Sequence, residues 1–188
     1  MKTILALLMS MSALLGMGGR YALPEAPQGI TVKILTENGI KEEVKFERKQ
    51  REYKQAAAIA GRVYRQLGCR QTYAAATGKA AVEFGVSPRI LAAVVFVESS
   101  CNPAAVSGRD SVGLTQVNPR VWHYNRKDLK DPERNLRIGA SILASYMRRF
   151  GLVEGLHHYN GLGNPSTEYA TKVLTAAGMR GIMPLTSS

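Results

Sequence analysis

The sequence predicts a mainly α-helical domain, preceded by an N-terminal signal peptide and a small β-hairpin. With 188 residues, 45% hydrophobic and 21% charged, the chain has the size and composition of one folded domain with an appendage. Apolar residues recur at helical spacing after about residue 48, and turn-forming residues separate the helical segments. We therefore expect a signal peptide at residues 1–22, a linker and hairpin at 23–47, and a helical domain at 48–188.

The first 22 residues are typical of a secretory signal peptide. Lys2 precedes an apolar run at residues 4–17, and small residues follow the run. This run is shorter than the stretch of about 20 apolar residues that spans a bilayer. Neither Gly19 nor Ala22 ends a well-formed cleavage site, so an uncleaved anchor is the alternative to a cleaved signal. In both cases the sequence predicts export, to the periplasm or the cell envelope.

A short β-hairpin is predicted between the signal peptide and the helical domain. Residues 30–35 and 40–46 alternate apolar and polar side chains around Asn38-Gly39, which is a strong hairpin signal. Two strands by themselves are only marginally stable. We therefore expect this hairpin to rest on the main domain or on another protein.

The helices of the main domain are predicted from their periodicity and from the residues at their ends. Glycines close the first two helices, a Ser-Pro pair opens the third, and Asp-Pro-Glu opens the fourth, in keeping with known capping preferences. A fifth helix is expected at about residues 166–177. The residues that mark these ends are Gly68, Gly85, Ser87, Pro88, Asp131, Pro132 and Glu133.

The charge of the chain favours a polyanionic partner. Its 25 Lys and Arg residues against 14 Asp and Glu residues give a net charge of +11, which attracts polyanions over a distance. The sequence contains no zinc-finger spacing, aromatic RNA-binding strand motif or basic leucine-zipper pattern, and its cationic residues are dispersed. We therefore expect no nucleic acid partner, and the charge by itself leaves anionic lipid and acidic cell-wall polymer open.

Cys69 and Cys101 are the two cysteines of the chain. An even number of cysteines in an exported protein permits one disulfide, and two separate buried thiols are the alternative. Two cysteines without a nearby pair of histidines make a poor metal site. We expect neither a metal nor another cofactor.

Glu98 is the candidate catalytic residue. It lies in the stretch VVFVESSCNP, at the end of an apolar run and in the last turn of its predicted helix. Val94 and Val95 lie one turn earlier on the same face. Desolvation, and secondly the helix dipole, raise the pKa of such a carboxyl and favour the protonated form that a general acid needs. A structural carboxylate paired with Arg89 or Arg109 is the alternative.

Glu98 belongs to a series of short motifs distributed along the chain. The series consists of Glu98-Ser99, residues 102–107 (NPAAVS), residues 113–117 (GLTQV), residues 158–161 (HYNG) and Tyr169. In order and spacing the motifs resemble those of the SLT-type lytic transglycosylases, a family that has a lysozyme-like helical fold and cleaves peptidoglycan. The resemblance covers residues 73–178 and includes Asp131-Pro132, Asn135 and Gly139 of the connecting helix. Each motif is weak by itself, whereas the set in register is a strong signal.

The resemblance implies a role for each matching residue. The implied catalytic acid and base is Glu98, and the implied substrate-binding residues are Ser99, Ser107, Gln116, Tyr159, Asn160 and Tyr169. The phenol of Tyr159 can orient the carboxyl, while the amides of Gln116 and Asn160 suit sugar hydroxyls and acetamido groups.

Other residues in the matched region are interpreted differently. His157 and His158 are adjacent on a helix and do not face each other, so we interpret both as structural. Trp122 is interpreted as a core residue. The chain has Thr115 where the family frequently has Met, and Leu162-Gly163 follows a Tyr-Asn-Gly where the family pattern is Tyr-Asn-Ala-Gly. These departures retain the catalytic group and bear on subsite preference.

The predicted reaction follows from the single catalytic carboxyl of the motif set. Glu98 would protonate the glycosidic oxygen between N-acetylmuramic acid and N-acetylglucosamine, then deprotonate the 6-hydroxyl, which closes a 1,6-anhydro ring. A goose-type lysozyme-like hydrolase is one alternative, with Asp110 as the second acid. A non-catalytic wall-binding assembly protein is the other. The predicted partner is the peptidoglycan glycan strand, in cell-wall turnover or in a secretion, conjugation or phage assembly.

Overall fold

The structure is a computed structural model that describes residues 37–161 and 168–179, with side chains from residue 45 onward. The chain divides into two compact units, residues 1–38 and 39–188, and nearly all described residues belong to the second. The predicted signal peptide, the linker and the first predicted strand, at residues 30–35, lie outside the described residues.

The described residues are mainly helical, as predicted. The helices are α1 (Glu37–Gln66), α2 (Ala74–Phe84), α3 (Pro88–Ser99), α4 (Pro119–Trp122), α5 (Arg126–Lys130), α6 (Pro132–Phe150), α7 (Leu152–Asn160) and α8 (Glu168–Ala176). A short 3₁₀ turn, Gln71–Tyr73, joins α1 to α2. Extended pairing within the described ranges is limited to two isolated antiparallel bridges, Val106 with Val112 and Val112 with Val117. None of the described helices combines the length and the apolar character needed to cross a membrane.

The second strand of the predicted hairpin, residues 40–46, is helical. These residues and the Asn38-Gly39 pair all lie within α1, so the hairpin prediction is wrong for this half. Lys and Glu, which make up four of these seven residues, favour helix over strand. Because the segment continues into a long helix, each further residue adds a hydrogen bond without a new nucleation step. The alternation of apolar and polar residues at 40–46 therefore belongs to a charged helix and does not indicate a strand.

The predicted helix ends are largely confirmed. Gly85 follows α2 with a φ of 70° and donates its N–H to the carbonyl of Ala81, as a C-terminal glycine cap does. Asp131 precedes α6, and its side chain accepts a hydrogen bond from the N–H of Arg134. Ser87 occupies the N-cap position of α3, although its side chain makes no capping hydrogen bond. Pro88 still begins this helix, as predicted.

Helix α3 lies at the centre of the core. Its residues 90–95 are at most 1% exposed, and α2 and α8 both pack against it. Burial of each large apolar side chain contributes on the order of 1.5–3 kcal/mol, so α3 cannot shift without exposing a large part of the core. The helix is therefore a fixed support for the residues at its C-terminal end, where Glu98 lies.

Helix α6 is held close to the loop that follows α3. A Cβ added at Gly139 of α6 would lie 2.3 Å from Oγ1 of Thr115, so only glycine permits this approach. The close contact brings Thr115, the neighbour of Gln116, against the long helix α6. Part of the candidate site is thereby anchored on a second rigid element.

Candidate active site

Glu98 lies in the last turn of α3, where the helix ends abruptly. Ser100 and Cys101 follow it in the left-handed backbone region, with φ values of 50° and 64°. In the structure Cys101 is joined by a disulfide to Cys69, which lies just beyond α1, with 6.1 Å between the two Cα atoms. The residues directly after the candidate acid are thus tied covalently to a neighbouring helix.

The carboxyl of Glu98 has the electrostatics of a general acid. Its desolvation raises the pKa of Glu98 from 4.5 to about 7, and this effect outweighs the hydrogen bond from Tyr169, which lowers the pKa. The protonated and ionised forms are therefore both well populated near neutral pH. A group with this pKa can donate a proton early in a reaction and accept one later.

Tyr169 of α8 is the residue that holds the carboxyl. Its phenol donates a hydrogen bond of 2.6 Å to Oε1 of Glu98, and its side chain is only 7% exposed. Burial, and secondly the charge of Glu98, raise the pKa of Tyr169 well above its ordinary value. The phenol consequently stays protonated and keeps donating in either protonation state of the acid.

Tyr159 of α7 has a different partner from the one expected. Its hydroxyl donates to the backbone carbonyl of Thr115 at 2.9 Å, whereas the phenol bonded to the carboxyl is that of Tyr169. Burial first, and then the charge of Glu98, raise the pKa of Tyr159. Tyr159 therefore joins α7 to the loop after α3 and remains a neutral neighbour of the acid.

Gln116 adopts a left-handed backbone conformation, with a φ of 48°, in the tight turn after Thr115. Its side-chain nitrogen donates to the carbonyl oxygens of Gly113 at 2.9 Å and Ala105 at 3.2 Å. These two hydrogen bonds use the donor end of the amide. The carbonyl end is the part of Gln116 that can accept a hydrogen bond from a sugar hydroxyl or acetamido N–H.

Asn135 of α6 supports this turn from the protein interior. The side chain is 0% exposed; its Oδ1 accepts from the N–H of Thr115 at 2.8 Å, and its Nδ2 donates to the carbonyl of Val112 at 2.8 Å. The hydroxyl of Thr115 also lies 2.8 Å from Asn135 Oδ1. Thr115, which departs from the family pattern, is therefore buried and helps to hold the turn that carries Gln116.

The predicted site residues meet, for the most part, in one cavity of about 680 Å³. The described residues that line it are Glu98, Ser107, Gly108, Arg109, Ser111, Gln116, Asn118, Val121, Trp122, Tyr146, His158, Tyr159, Asn160 and Gly161. Five of the seven residues that the resemblance implicates are in this set: Glu98, Ser107, Gln116, Tyr159 and Asn160. We call this cavity the cleft.

Ser99 and Tyr169 are the two implicated residues that do not line the cleft. Ser99 is buried, and its hydroxyl lies 2.9 Å from the carbonyl oxygens of both Val95 and Leu114. Its polar group is used to join α3 to the following loop, so the expected contact between Ser99 and substrate does not fit this position. Tyr169 acts through its hydrogen bond to Glu98.

An aromatic wall was missed in the sequence. Trp122 and His158 were interpreted as core and structural residues, yet both line the cleft together with Tyr146. The ring of Tyr146 lies edge-on to Trp122 at 6.0 Å and parallel to His158 at 5.8 Å, and Phe150 stacks on His158 at 3.9 Å. These rings come from α4, α6 and α7, so no local pattern could have grouped them.

Asp110, the candidate second acid of a hydrolase, forms ion pairs with two arginines. Its carboxylate is hydrogen-bonded to Arg126 and lies 3.5 Å from Nε of Arg120. The hydrogen bond from Arg126 is the main reason that the pKa of Asp110 is lowered. Glu98 is therefore the only carboxylate among the described residues that line the cleft. The described part of the chain also contains no cluster of three or more residues suited to hold a metal.

The described residues form a helical domain of the lysozyme-like class, whose buried central helix ends in one protonatable glutamate at an open cleft. Within this class, the model of the Transglycosylase SLT domain family matches residues 75–177, more than half of the chain, and the chain belongs to this family. The resemblance inferred from the motifs is confirmed.

Several curated proteins are similar to the chain over a shorter region. An "Endo-type membrane-bound lytic murein transglycosylase A" from Cronobacter sakazakii is 36% identical over 92 residues, which cover 43% of this chain and 44% of that protein. The protein of the same name from Enterobacter sp. is 34% identical over 90 residues, 42% and 43% of the two chains. The one from Klebsiella pneumoniae is 37% identical over 78 residues, 35% and 38%. The matched region spans less than half of each of these relatives.

Proposed function

We propose that this protein is a peptidoglycan lytic transglycosylase. It cleaves the β-1,4 bond between N-acetylmuramic acid and N-acetylglucosamine and leaves a 1,6-anhydro ring on the muramic acid. The observation that carries the proposal is the position of Glu98, with a pKa raised to about 7, at a cleft whose described lining contains no second carboxylate. The family membership and the names of the relatives support the same assignment.

The first step is proton donation by Glu98. The protonated carboxyl transfers its proton to the glycosidic oxygen, the bond from that oxygen to C1 of the muramic acid breaks, and N-acetylglucosamine leaves as a 4-hydroxyl. Positive charge develops at C1, where the 2-acetamido group of the same sugar can stabilise it. Tyr169 donates to Oε1 and so leaves Oε2 to carry the transferred proton.

The second step reverses the role of the same carboxyl. Ionised Glu98 removes the proton from the 6-hydroxyl of the muramic acid, and O6 forms a bond with C1 to close the anhydro ring. No water is consumed. Because the nucleophile belongs to the bound sugar, its effective concentration is high and no second carboxylate is needed to activate it.

The alternatives fit the geometry less well. Hydrolysis by a pair of carboxylates requires a second acid facing the substrate, and Asp110 is held by Arg126 and Arg120 outside the cleft lining. A purely structural wall-binding protein would have no need of a buried acid with a pKa near 7, since such an acid destabilises the folded state at neutral pH.

We further propose that the protein acts in the cell envelope on peptidoglycan glycan strands. The predicted signal peptide and the words "membrane-bound" in the names of its relatives support this location. A place in a secretion, conjugation or phage assembly remains a prediction. Fractionation of cells that express the full chain tests the location, and recovery in the cytoplasmic fraction would contradict it.

Analysis of the reaction products tests the activity directly. The purified protein is incubated with purified peptidoglycan, and the soluble muropeptides are separated and weighed by mass spectrometry. We expect muramic acid ends that are lighter by one water than lysozyme products and that resist borohydride reduction. Reducing muramic acid ends as the main product would show that the protein is a hydrolase.

A further inference from the structure

Arg109 is the only permanently charged side chain among the described residues that line the cleft. It is exposed and makes no ion pair with any described residue. The mechanism proposed above gives it no role, because proton transfer involves Glu98 and the sugar. Because this cation at the cleft has no acidic partner in the described residues, we expect the substrate to supply an acidic group.

Arg109 lies in a tight turn that is fixed from several sides. The N–H of Ser107 donates to the carbonyl of Ser111 at 2.9 Å, and the N–H of Ser111 donates to Oγ of Ser107 at 3.0 Å. The side chain of Asn118 donates to the carbonyl of Arg109 itself at 2.8 Å. The backbone at Arg109 is therefore well positioned, while its side chain makes no hydrogen bond or ion pair with the described residues.

The acid adjacent to Arg109 in sequence is not available to neutralise it. Asp110 has a φ of 71°, and its carboxylate is bound to Arg126 and Arg120. Glu98, the other carboxyl in the region, accepts a hydrogen bond from Tyr169 and must carry a proton when catalysis begins. Both nearby acids thus have partners other than Arg109.

The proposed substrate carries carboxylates on its muramic acid residues. Each muramic acid carries a lactyl ether at C3 that either continues into a peptide stem with free carboxylates or, where the stem has been removed, ends in a carboxylate. A strand made only of N-acetylglucosamine carries none. Guanidinium groups bind carboxylates by two parallel hydrogen bonds, which adds geometric selectivity to the charge attraction.

We propose that Arg109 is a specificity-determining residue that binds a carboxylate on the C3 substituent of muramic acid. This inference rests on the proposed function and adds to it: the cleft distinguishes acidic muramyl strands from neutral glycan. The stem and the bare lactyl group present the same chemistry to Arg109, so the experiment must separate them.

Three kinds of soluble strand provide that separation. The first has intact peptide stems, the second has stems whose carboxylates are converted to amides, and the third has been stripped by an amidase to leave lactyl carboxylates. The rate of anhydro-end formation at low substrate concentration is measured for the wild type, Arg109→Ala and Arg109→Lys. Arg62→Ala is the matched control, because Arg62 is exposed on α1, does not line the cleft and carries the same charge.

On strands with intact stems we expect Arg109→Ala to lose about five-fold in rate, the upper range for a solvent-accessible ion pair. Arg109→Lys should fall between this variant and the wild type, and Arg62→Ala should match the wild type. On amidated stems the wild type and Arg109→Ala should be equal. A loss confined to intact stems assigns the stem carboxylates as the ligand. A loss confined to stripped strands assigns the lactyl carboxylate, which on intact strands is amide-bonded to the stem, and a loss on both shows that Arg109 binds either carboxylate.

An equal loss on intact and amidated strands would overturn the inference and assign Arg109 a structural role. The absence of a loss on both intact and stripped strands would also overturn it. Failure of the proposed function is distinguishable, since the wild type itself would then form no anhydro ends. In that case the binding of the same strands to Glu98→Gln and to Glu98→Gln/Arg109→Ala still tests carboxylate recognition. The double variant should bind intact stems about five-fold more weakly.

Discussion

The phenol of Tyr169 donates a 2.6 Å hydrogen bond to Oε1 of Glu98, joining two residues that are 71 positions apart in the sequence. The bond crosses from α8 to the end of α3, two helices that pack directly on each other. It opposes the effect of desolvation on the acid and holds the pKa of Glu98 at about 7. In the proposed mechanism, activity at neutral pH therefore depends on both residues.

Glu98→Gln should abolish cleavage of peptidoglycan. The amide has nearly the same shape as the carboxyl but cannot transfer a proton, so we expect a loss of at least about 10²-fold in the rate of anhydro-end formation. Strand binding and the circular dichroism spectrum should match the wild type. Activity within about ten-fold of the wild type would remove Glu98 from the mechanism.

Tyr169→Phe should shift the pH dependence of activity upward. The hydrogen bond from Tyr169 lowers the pKa of Glu98, so its removal raises that pKa. Because the reaction begins from protonated Glu98, activity in the wild type should fall as pH rises through about 7. In the variant the same fall should occur at higher pH. An unchanged profile of kcat/KM against pH would contradict this role for Tyr169.

Folding stability should fall between about pH 4.5 and 7 because of Glu98. Its pKa is higher in the folded state, which therefore binds a proton that the unfolded state releases over this range. That difference lowers the free energy of unfolding as pH rises, by at most about 3 kcal/mol. Glu98→Gln removes the penalty, so the variant should be more stable than the wild type at pH 8 but not at pH 4. Urea unfolding at the two pH values measures the difference.

Asp110→Asn should leave turnover within about five-fold of the wild type. Asp110 is bound to Arg126 and Arg120 and does not line the cleft, so the substitution weakens the support of the loop without removing a catalytic group. The measurement is the rate of anhydro-end formation. An inactive variant that folds normally would instead favour a two-carboxylate hydrolase.

Loss of the disulfide should destabilise the domain by roughly 2–4 kcal/mol. The bond closes a loop between positions separated by 32 residues, which contains α2 and α3. Reduction of the wild type should lower the free energy of unfolding, whereas reductant should not affect Cys69→Ser/Cys101→Ser. Two titratable thiols in protein purified from the periplasm without reductant would show that the bond does not form there.

The parts of the site that could be predicted from sequence are those set by local periodicity. The apolar run before Glu98 and its position at a helix end were sufficient to predict a raised pKa. The partner of the carboxyl was not predictable, because the choice between Tyr159 and Tyr169 depends on how α7 and α8 pack. The motif resemblance supplied both tyrosines but could not assign their hydrogen bonds.

Two other failures have physical causes that sequence patterns do not contain. The sequence favours a core position for Trp122 and a structural role for His158, which does not face His157, whereas the fold brings both side chains to the lining of the cleft. The alternating pattern at residues 40–46 was taken for a strand, although continuity with a long helix decided its conformation.

Glu98, the only carboxyl in the described lining of the cleft, determines where protons and oxygen atoms go during turnover. In the proposed mechanism, Glu98 gives one proton to the departing sugar and recovers one from the 6-hydroxyl of the sugar that remains. The acid is therefore ready for the next bond without any exchange with bulk water. Reaction in ¹⁸O-labelled water should leave both new ends unlabelled, because every atom of the product is already present in the strand.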